Sequence, residues 1–469
     1  MKNKNNYLRT NAKKQAYKNK GITLIALIIT IIVMLILVGV SVSILINSNL
    51  IGAAEKTATA YDEARRKEAN SEGIIINGKT IDSYITLPEI EAGTRATEPS
   101  EYKSNNKTAV IPAGFTVSGI STEQSIDGGL VIYDIPEGTT VNWTNPDSVR
   151  TQYNQFVWIP VEVNKTTEQK DTETSIASFK RSVWQDNARV ANNAQSSTSF
   201  PSSSFSWRDY TEPYSRDSRD YDGTGTGKTG ISAQITELTK SIYKYGGFYI
   251  GRYEAGSETA RTIDSLQTEA FVVQQDKYPY NYVKWGKGMG DISEGAVHLS
   301  NNLYPENSGY GVKSMLCTGA AWDGILDFIK DCGHNVTSSN IWGNYDDSVT
   351  YQVYRGSLYD YSIWSEADRI NGSDVTKDTN ILLTTGATER NSSKNIYDVA
   401  GNCDEWTTEA NSTVSRVIRG WRFLQQWLRL SSKFPSRRKS TNIVNHNSFR
   451  PLLLRRCKLA GDAVIKYAK

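Results

Sequence analysis

The chain has 469 residues, enough for two or more domains and a sizeable core, and its 26 Tyr, 11 Trp and 35 Gly favour strands and loops over helix. Four cysteines at wide, irregular spacing exclude a disulfide scaffold and any C-x-x-C metal pair, leaving at most one bridge such as Cys317 to Cys332. The net charge of +3 hides an asymmetry: residues 1–20 carry seven Lys/Arg and no acid, Arg419 to Lys458 carry eleven and no acid, and the remainder is near −15.

In chain order, residues 1–21 form a basic leader and residues 22–47 a span. Ile22 to Ile46 is twenty-five residues without a charge, about 38 Å as a helix against about 30 Å of hydrocarbon. The Lys/Arg excess before it keeps the N-terminus in the cytosol and puts residues 48–469 outside, giving a single-pass cell-membrane protein with an extracellular domain. Lys20-Gly21-Ile22-Thr23-Leu24-Ile25 resembles a type IV prepilin leader, which implies a prepilin peptidase as partner, cutting between Gly21 and Ile22. Pilins carry Glu at the fifth mature position, where this chain has Ala26, so the segment reads as an anchor and a minor pilin is an alternative.

Residues 48–72 are rich in Ala, Glu and Lys/Arg and predict a helical stalk. From residue 73 to 150 short apolar runs alternate with turn residues, including an Asn-Gly hairpin signal at Asn77-Gly78, and predict a small β module. Phe156 to Val163 (FVWIPVEV) predicts a buried strand opening a domain over 151–456, interrupted at 164–230 by a Ser/Asn/Thr/Asp-rich insertion expected to be exposed. Within that insertion GTGTGKTG is not a phosphate loop, because the required first Gly falls on Asp222 and no apolar strand precedes it. Ser232 to Gly246 and Thr318 to Asp331 predict amphipathic helices, the first with Ile235, Leu238 and Ile242 inward, the second with Trp322, Ile325, Leu326 and Ile329 inward. GGFYIGRYEAG between them predicts a strand, and residues 457–469 form a tail.

The stretch Asn395 to Arg450 carries the most information. Tyr397, Asp398, Ala400, Gly401, Asn402, Glu405 and Trp406, then Arg419-Gly420, then Phe449-Arg450, resemble in order the G-x-Y-D-x-A-G-N-x-x-E-W block, R-G-G turn and closing G-F-R of the formylglycine-generating, sulfatase-modifying family. Arg252, Tyr253 and Glu254 match that family's opening strand motif, and TGAAWDGI matches its T-E-A-E-W-E helix with Gly319 in place of the first Glu. The resemblance implies an α+β, C-type-lectin-like fold, which serves both oxidative enzymes and binding proteins.

For this chain the resemblance implies a binding protein. The family's copper oxidases place two cysteines between the R-G-G turn and the closing G-F-R, and here Gly420 to Phe449 contains none. The iron-dependent branch needs an H-x-x-x-E pair, and His298, His334 and His446 are not so spaced, so no copper or iron site is evident. An oxidase or related metalloenzyme of the family is an alternative. Calcium is the cofactor the corner could take, since Asn402 and Glu405 are hard oxygen ligands on a turn and the family holds a structural calcium there; a metal-free, hydrogen-bonded corner is the rival reading.

Between Arg419-Gly420 and the closing strand, the tract Trp421 to Asn447 interleaves Arg, Trp, Phe and Asn with no acid. Such residues suit interface hot spots, and a core segment would bury too much charge. By position the tract resembles the variable region of lectin-fold proteins diversified by retroelements, which implies an open binding loop with Trp421, Arg422, Phe423, Gln425, Trp427, Arg429, Phe434, Arg437, Asn445 and Asn447 contacting a protein or glycan ligand. Arg among aromatics also suits single-stranded nucleic acid, which ranks below those two.

Overall fold

The protein is described here from a computed structural model. It describes residues 87–163, 231–287, 291–305, 308–330, 381–410, 415–420 and 447–455, with short strands and a few single positions elsewhere. The chain divides into two compact units, Met1–Ile85 with Leu459–Lys469, and Thr86–Lys458. The described part of the first is a hairpin of β1 (Ile75–Ile76) and β2 (Lys79–Thr80), Ile75 opposite Thr80, flanking the Asn-Gly pair as expected. The apolar stretch 22–46 and the leader with Gly21 and Ile22 lie outside the described residues. Among the described residues no helix is long and apolar enough to cross a membrane.

The second unit is mixed α/β, mostly sheet with few helices. Besides several other short strands, it contains β3 (Ser100–Ser104), β4 (Lys107–Ile111), β5 (Thr116–Val117), β6 (Val131–Tyr133), β7 (Gln155–Pro160), β8 (Gly247–Gly251), β9 (Val312–Leu316), β10 (Asp404–Ala410), β11 (Ser415–Arg419), β12 (Ser436–Lys439), β13 (Asn447–Phe449) and β14 (Pro451–Arg455). The main helices are α1 (Pro146–Arg150), α2 (Ile231–Tyr245), α3 (Gly295–Asn302) and α4 (Gly319–Ile329). A six-stranded sheet runs β9-β14-β8-β7-β6-β5, and a four-stranded sheet runs β12-β11-β10-β13.

Both faces of the large sheet are buried, which is why its strands read as unbroken apolar runs instead of alternating. Phe156, Trp158, Tyr249 and Leu453 enter one core together with Ala296 and Val297 of α3. Val157, Ile159, Phe248, Ile250, Leu452 and Leu454 enter the other, against Leu238 and Ile242 of α2 and Trp322, Ile325, Leu326 and Ile329 of α4. Helix α2 ends on Gly246 at φ +76°, whose N–H donates to the Ile242 carbonyl at 2.8 Å. Helix α4 begins at Thr318, whose hydroxyl accepts from the Ala321 N–H at 3.0 Å.

Two expectations change, and the one bridge left open does not form. Residues 73–150 do not all stand apart: β6 pairs antiparallel with β7, Val131 opposite Val157, so β5 and β6 extend the main sheet, while β3 and β4 pair with each other in a two-stranded sheet, and the division falls near residue 85. The polar insertion is not wholly exposed, because Trp184 is buried and its indole N–H donates to Asp323 at 3.3 Å. Cys317 and Cys332 are free thiols, the first buried at the end of β9 and the second exposed, so they are not bridged.

Candidate ligand-binding site

The basic tract departs from β11 and returns through β13, and both strands flank β10 in the small sheet. β10 pairs antiparallel with β11, Glu405 opposite Arg419, and parallel with β13, Trp406 opposite Phe449. The two roots of the tract are therefore held on one strand. Each root is also a fully buried arginine.

Arg419 donates from Nε to Glu409 Oε2 at 2.8 Å and from Nη2 to Oε1 at 3.1 Å, with Asp323 at 3.8 Å. Arg450 donates from Nε and Nη2 to Glu405, the shortest bond 2.6 Å, from Nη1 to the Gly251 carbonyl at 3.0 Å and from Nη2 to the Tyr397 carbonyl at 2.8 Å. These are charge-assisted contacts in a dry interior, where a missing partner is costly. Arg450 is also the point at which the chain passes from the small sheet into the large one, between β13 and β14.

The residue types at 398–402 have a backbone cause. Asp398, Gly401 and Asn402 sit at φ +59°, +87° and +57°, the left-handed region that Gly, Asn and Asp enter most readily. The Asn402 carboxamide pairs with both backbone groups of Leu383, accepting its N–H at 2.9 Å and donating to its carbonyl at 3.0 Å. Its Nδ2 also donates to Glu254 Oε1. Asp398 accepts from the Gly386 N–H at 2.9 Å and from Asn391 Nδ2 at 3.1 Å.

Three buried carboxyls thus share the neighbourhood of the Arg450 guanidinium. Burial raises Glu405, against the pull of Arg450. Burial also raises Asp398, against its donors and Arg450. Glu254 is pushed well above the usual carboxylate range, by burial first and then by Asp398 and Glu405. Glu254 in turn adds to burial in raising the Cys403 thiol.

Asn402 and Glu405 do not fit calcium. The Asn402 oxygen is taken by the Leu383 N–H, and both Glu405 oxygens face the Arg450 guanidinium, a cation where a second cation would have to sit. Among the described residues no group of three or more His, Cys, Asp or Glu could hold a metal ion. The corner is organised by hydrogen bonds and one ion pair.

Of the residues expected to contact ligand, Trp421, Arg422, Phe423, Gln425, Trp427, Arg429, Phe434 and Asn445 lie outside the described residues. Arg437 lies on β12, which pairs antiparallel with β11, so part of the tract is strand and not loop. Asn447 lies in β13 opposite Asp404 and is fully buried, which corrects its placement on an open face: the parallel pairing with β10 makes it part of the small sheet.

Glu409 carries a role that motif spacing did not reveal. A Cβ added at Gly319 would stand 2.2 Å from Glu409 Cδ, so the carboxylate of Glu409 lies against the bare Gly319 backbone. A Gly at the first helical position, right after the Thr318 cap, was the available signal. Replacing Gly by Ala in a helix ordinarily stabilises by about 1 kcal/mol. Here Gly319→Ala is expected to destabilise by about 1–3 kcal/mol, the cost of overpacking, because Arg419 pins Glu409 in place. A melting temperature unchanged or raised in G319A would show that Glu409 can step aside.

The chain matches no family model, no curated protein and no solved structure.

Proposed function

We propose that the protein is a membrane-anchored, surface-displayed binding protein whose C-type-lectin-like domain presents the tract 421–446 as a ligand-binding face without catalysing a reaction. One observation carries this reading: the residues bounding the tract, Arg419 and Arg450, are both buried and both ion-paired to acids of β10. The frame is closed by side chains outside the tract. A stretch rooted in that way is free to devote its Arg and aromatic side chains to a partner, as binding loops on rigid scaffolds do. The charge asymmetry supports the same reading, since an uninterrupted basic tract on an acidic ectodomain attracts an acidic or polar ligand.

If the tract is a binding face, Trp421→Ala with Trp427→Ala should shift the stability of the purified ectodomain by less than about 1 kcal/mol, as surface changes do. Core tryptophans would cost about 3–5 kcal/mol each, and a collapsed fold in the double variant would overturn the reading. The anchor is tested separately. Protease added to intact cells is expected to release the domain after residue 48, and protection of that domain on cells with accessible surfaces would place it on the other side.

A further inference from the structure

Three triplets of the form Asn-x-Ser/Thr, with x not Pro, fall wholly within the described residues: Asn106-Lys107-Thr108, Asn142-Trp143-Thr144 and Asn391-Ser392-Ser393. The Asn of such a triplet accepts N-linked sugar where it stands on the surface of an exported protein. The fold separates the three. Asn391 is fully buried and its Nδ2 donates to Asp398 at 3.1 Å, which puts it out of reach. Asn106 is exposed at φ +61° in the turn between β3 and β4. Asn142 is exposed and also held in a defined pose.

The carboxamide oxygen of Asn142 accepts from the Thr144 N–H at 3.1 Å and from the Thr144 hydroxyl at 2.6 Å, and the Asn145 N–H closes the turn on the Asn142 carbonyl at 3.2 Å. Asn142 and Thr144 are both exposed, and Trp143 between them is half-buried. The Trp143 ring packs on Gly119, where a Cβ would stand 2.5 Å from Cγ, and meets the Tyr133 ring edge-on with centroids 5.6 Å apart. The indole thus anchors the turn just before α1, while its two polar neighbours stay in solvent. With the oxygen engaged by its own turn, Nδ2 is the free end of the Asn142 carboxamide and has no partner among the described residues.

We infer that Asn142 is the acceptor of an oligosaccharide delivered by a lipid-linked diphosphate donor on the exported side of the membrane. The inference rests on the surface display proposed above, since a domain kept in the cytosol does not meet such a donor. In the transfer, Asn142 Nδ2 forms a bond to the anomeric carbon as the bond from that carbon to the diphosphate oxygen breaks. The lipid diphosphate leaves with the electron pair, the displaced Nδ2 proton passes to a base of the transferase, and nothing is oxidised or reduced. Thr144 supplies the hydroxyl that completes the triplet, and Trp143 holds the turn outward.

The test is mass spectrometry of the full chain purified from the cells that make it. Trypsin yields residues 108–150 as one peptide, in which Asn142-Trp143-Thr144 is the one acceptor triplet. In the parent this peptide should be heavier by the mass of a glycan and should release sugar oxonium ions on fragmentation. The sugar should be lost in Asn142→Gln and in Thr144→Ala, which keeps the Asn and removes the hydroxyl, and should persist in Thr144→Ser. Both positions are exposed, so the melting temperatures of the variants should stay near that of the parent. A bare peptide in the parent overturns the inference, as does a glycan that survives in N142Q or T144A. The protease experiment separates such a failure from that of the proposed display, because a bare peptide from a domain that protease releases from intact cells leaves the display standing.

Discussion

Replacing Arg450 by Leu should remove about 3–5 kcal/mol of stability, and more if Asp398 and Glu254 both ionise in the variant. Among the described residues the arginine is the one cation whose side chain contacts Glu405, and it simultaneously satisfies the Gly251 and Tyr397 carbonyls. Without it, Glu405 is a buried anion beside two further carboxyls, and two buried carbonyls lose a donor. Domains of ordinary stability hold about 5–15 kcal/mol in total, so R450L should melt far below the parent or accumulate as insoluble protein.

Two controls make the cause visible. In R450L the Glu405 pKa stays raised by burial with nothing to lower it, so the native state binds the extra proton and the variant should lose stability as pH rises above the ordinary carboxylate range. The double change Arg450→Leu with Glu405→Leu should recover part of the loss, since an apolar pair can replace a buried ion pair but cannot serve the two carbonyls. Urea unfolding of the three proteins across pH measures both effects. A loss below about 1 kcal/mol in R450L would mean that the ion pair does not hold the root of the tract.

What could be read from the sequence divides along physical lines. The runs FVWI, FYI and LLL were legible because burial on both faces leaves no polar residue to break the pattern, and α4 was legible because Thr318 and its apolar stripe agree. The turn at Gly401 and Asn402 was legible from residue type, and its left-handed backbone came only with the structure. The membership of β5 and β6 in the main sheet was not legible, because pairing of β6 with β7 leaves no mark on composition, and short strands among turns look alike whether they stand apart or extend a neighbour. Nor were the buried polar pairs, whose partners are far apart in sequence: Glu254 meets Asn402 and Arg252 meets Glu123 only after folding. The acids of the corner were legible as a motif, but the motif does not distinguish a metal ligand from the partner of a buried arginine, and Arg450 supplies that distinction.

The second large effect belongs to Glu123, which joins the early strands to the corner. Its buried carboxylate accepts from Arg252 Nη1 at 2.6 Å, from Arg150 Nη2 at 2.6 Å, from the Tyr133 hydroxyl at 2.7 Å and from the Ser118 hydroxyl at 2.7 Å. Arg252 reaches onward to Asn395 at 3.2 Å, and Asn395 Nδ2 donates back to the Gly129 carbonyl at 2.8 Å. Burial by itself would raise the carboxyl, but Arg252 and then Arg150, with the two hydroxyls, hold it down from 4.5 to about 2.

The sign of the pH dependence follows from that depression. Between pH 4.5 and about 2 the unfolded chain binds a proton at this site that the native protein does not, so the stabilisation is complete above 4.5 and is lost as pH falls toward 2. The depression corresponds to about 3 kcal/mol at 1.36 kcal/mol per unit. Glu123→Gln leaves Arg252 buried with no carboxylate and should cost about 3–5 kcal/mol at neutral pH. Below pH 4.5 the protonated parent comes to resemble the variant, so the difference in unfolding free energy between the two proteins should narrow steadily down to pH 2. Taking the difference removes the carboxyls common to both, including Asp398, Glu405 and Glu254, whose raised values favour the native state in acid. Denaturant titrations of parent and E123Q at a series of pH values measure the gap, and a gap that stays constant from pH 7 to pH 2 would show that Glu123 does not carry the charge that joins Arg252 to the early strands.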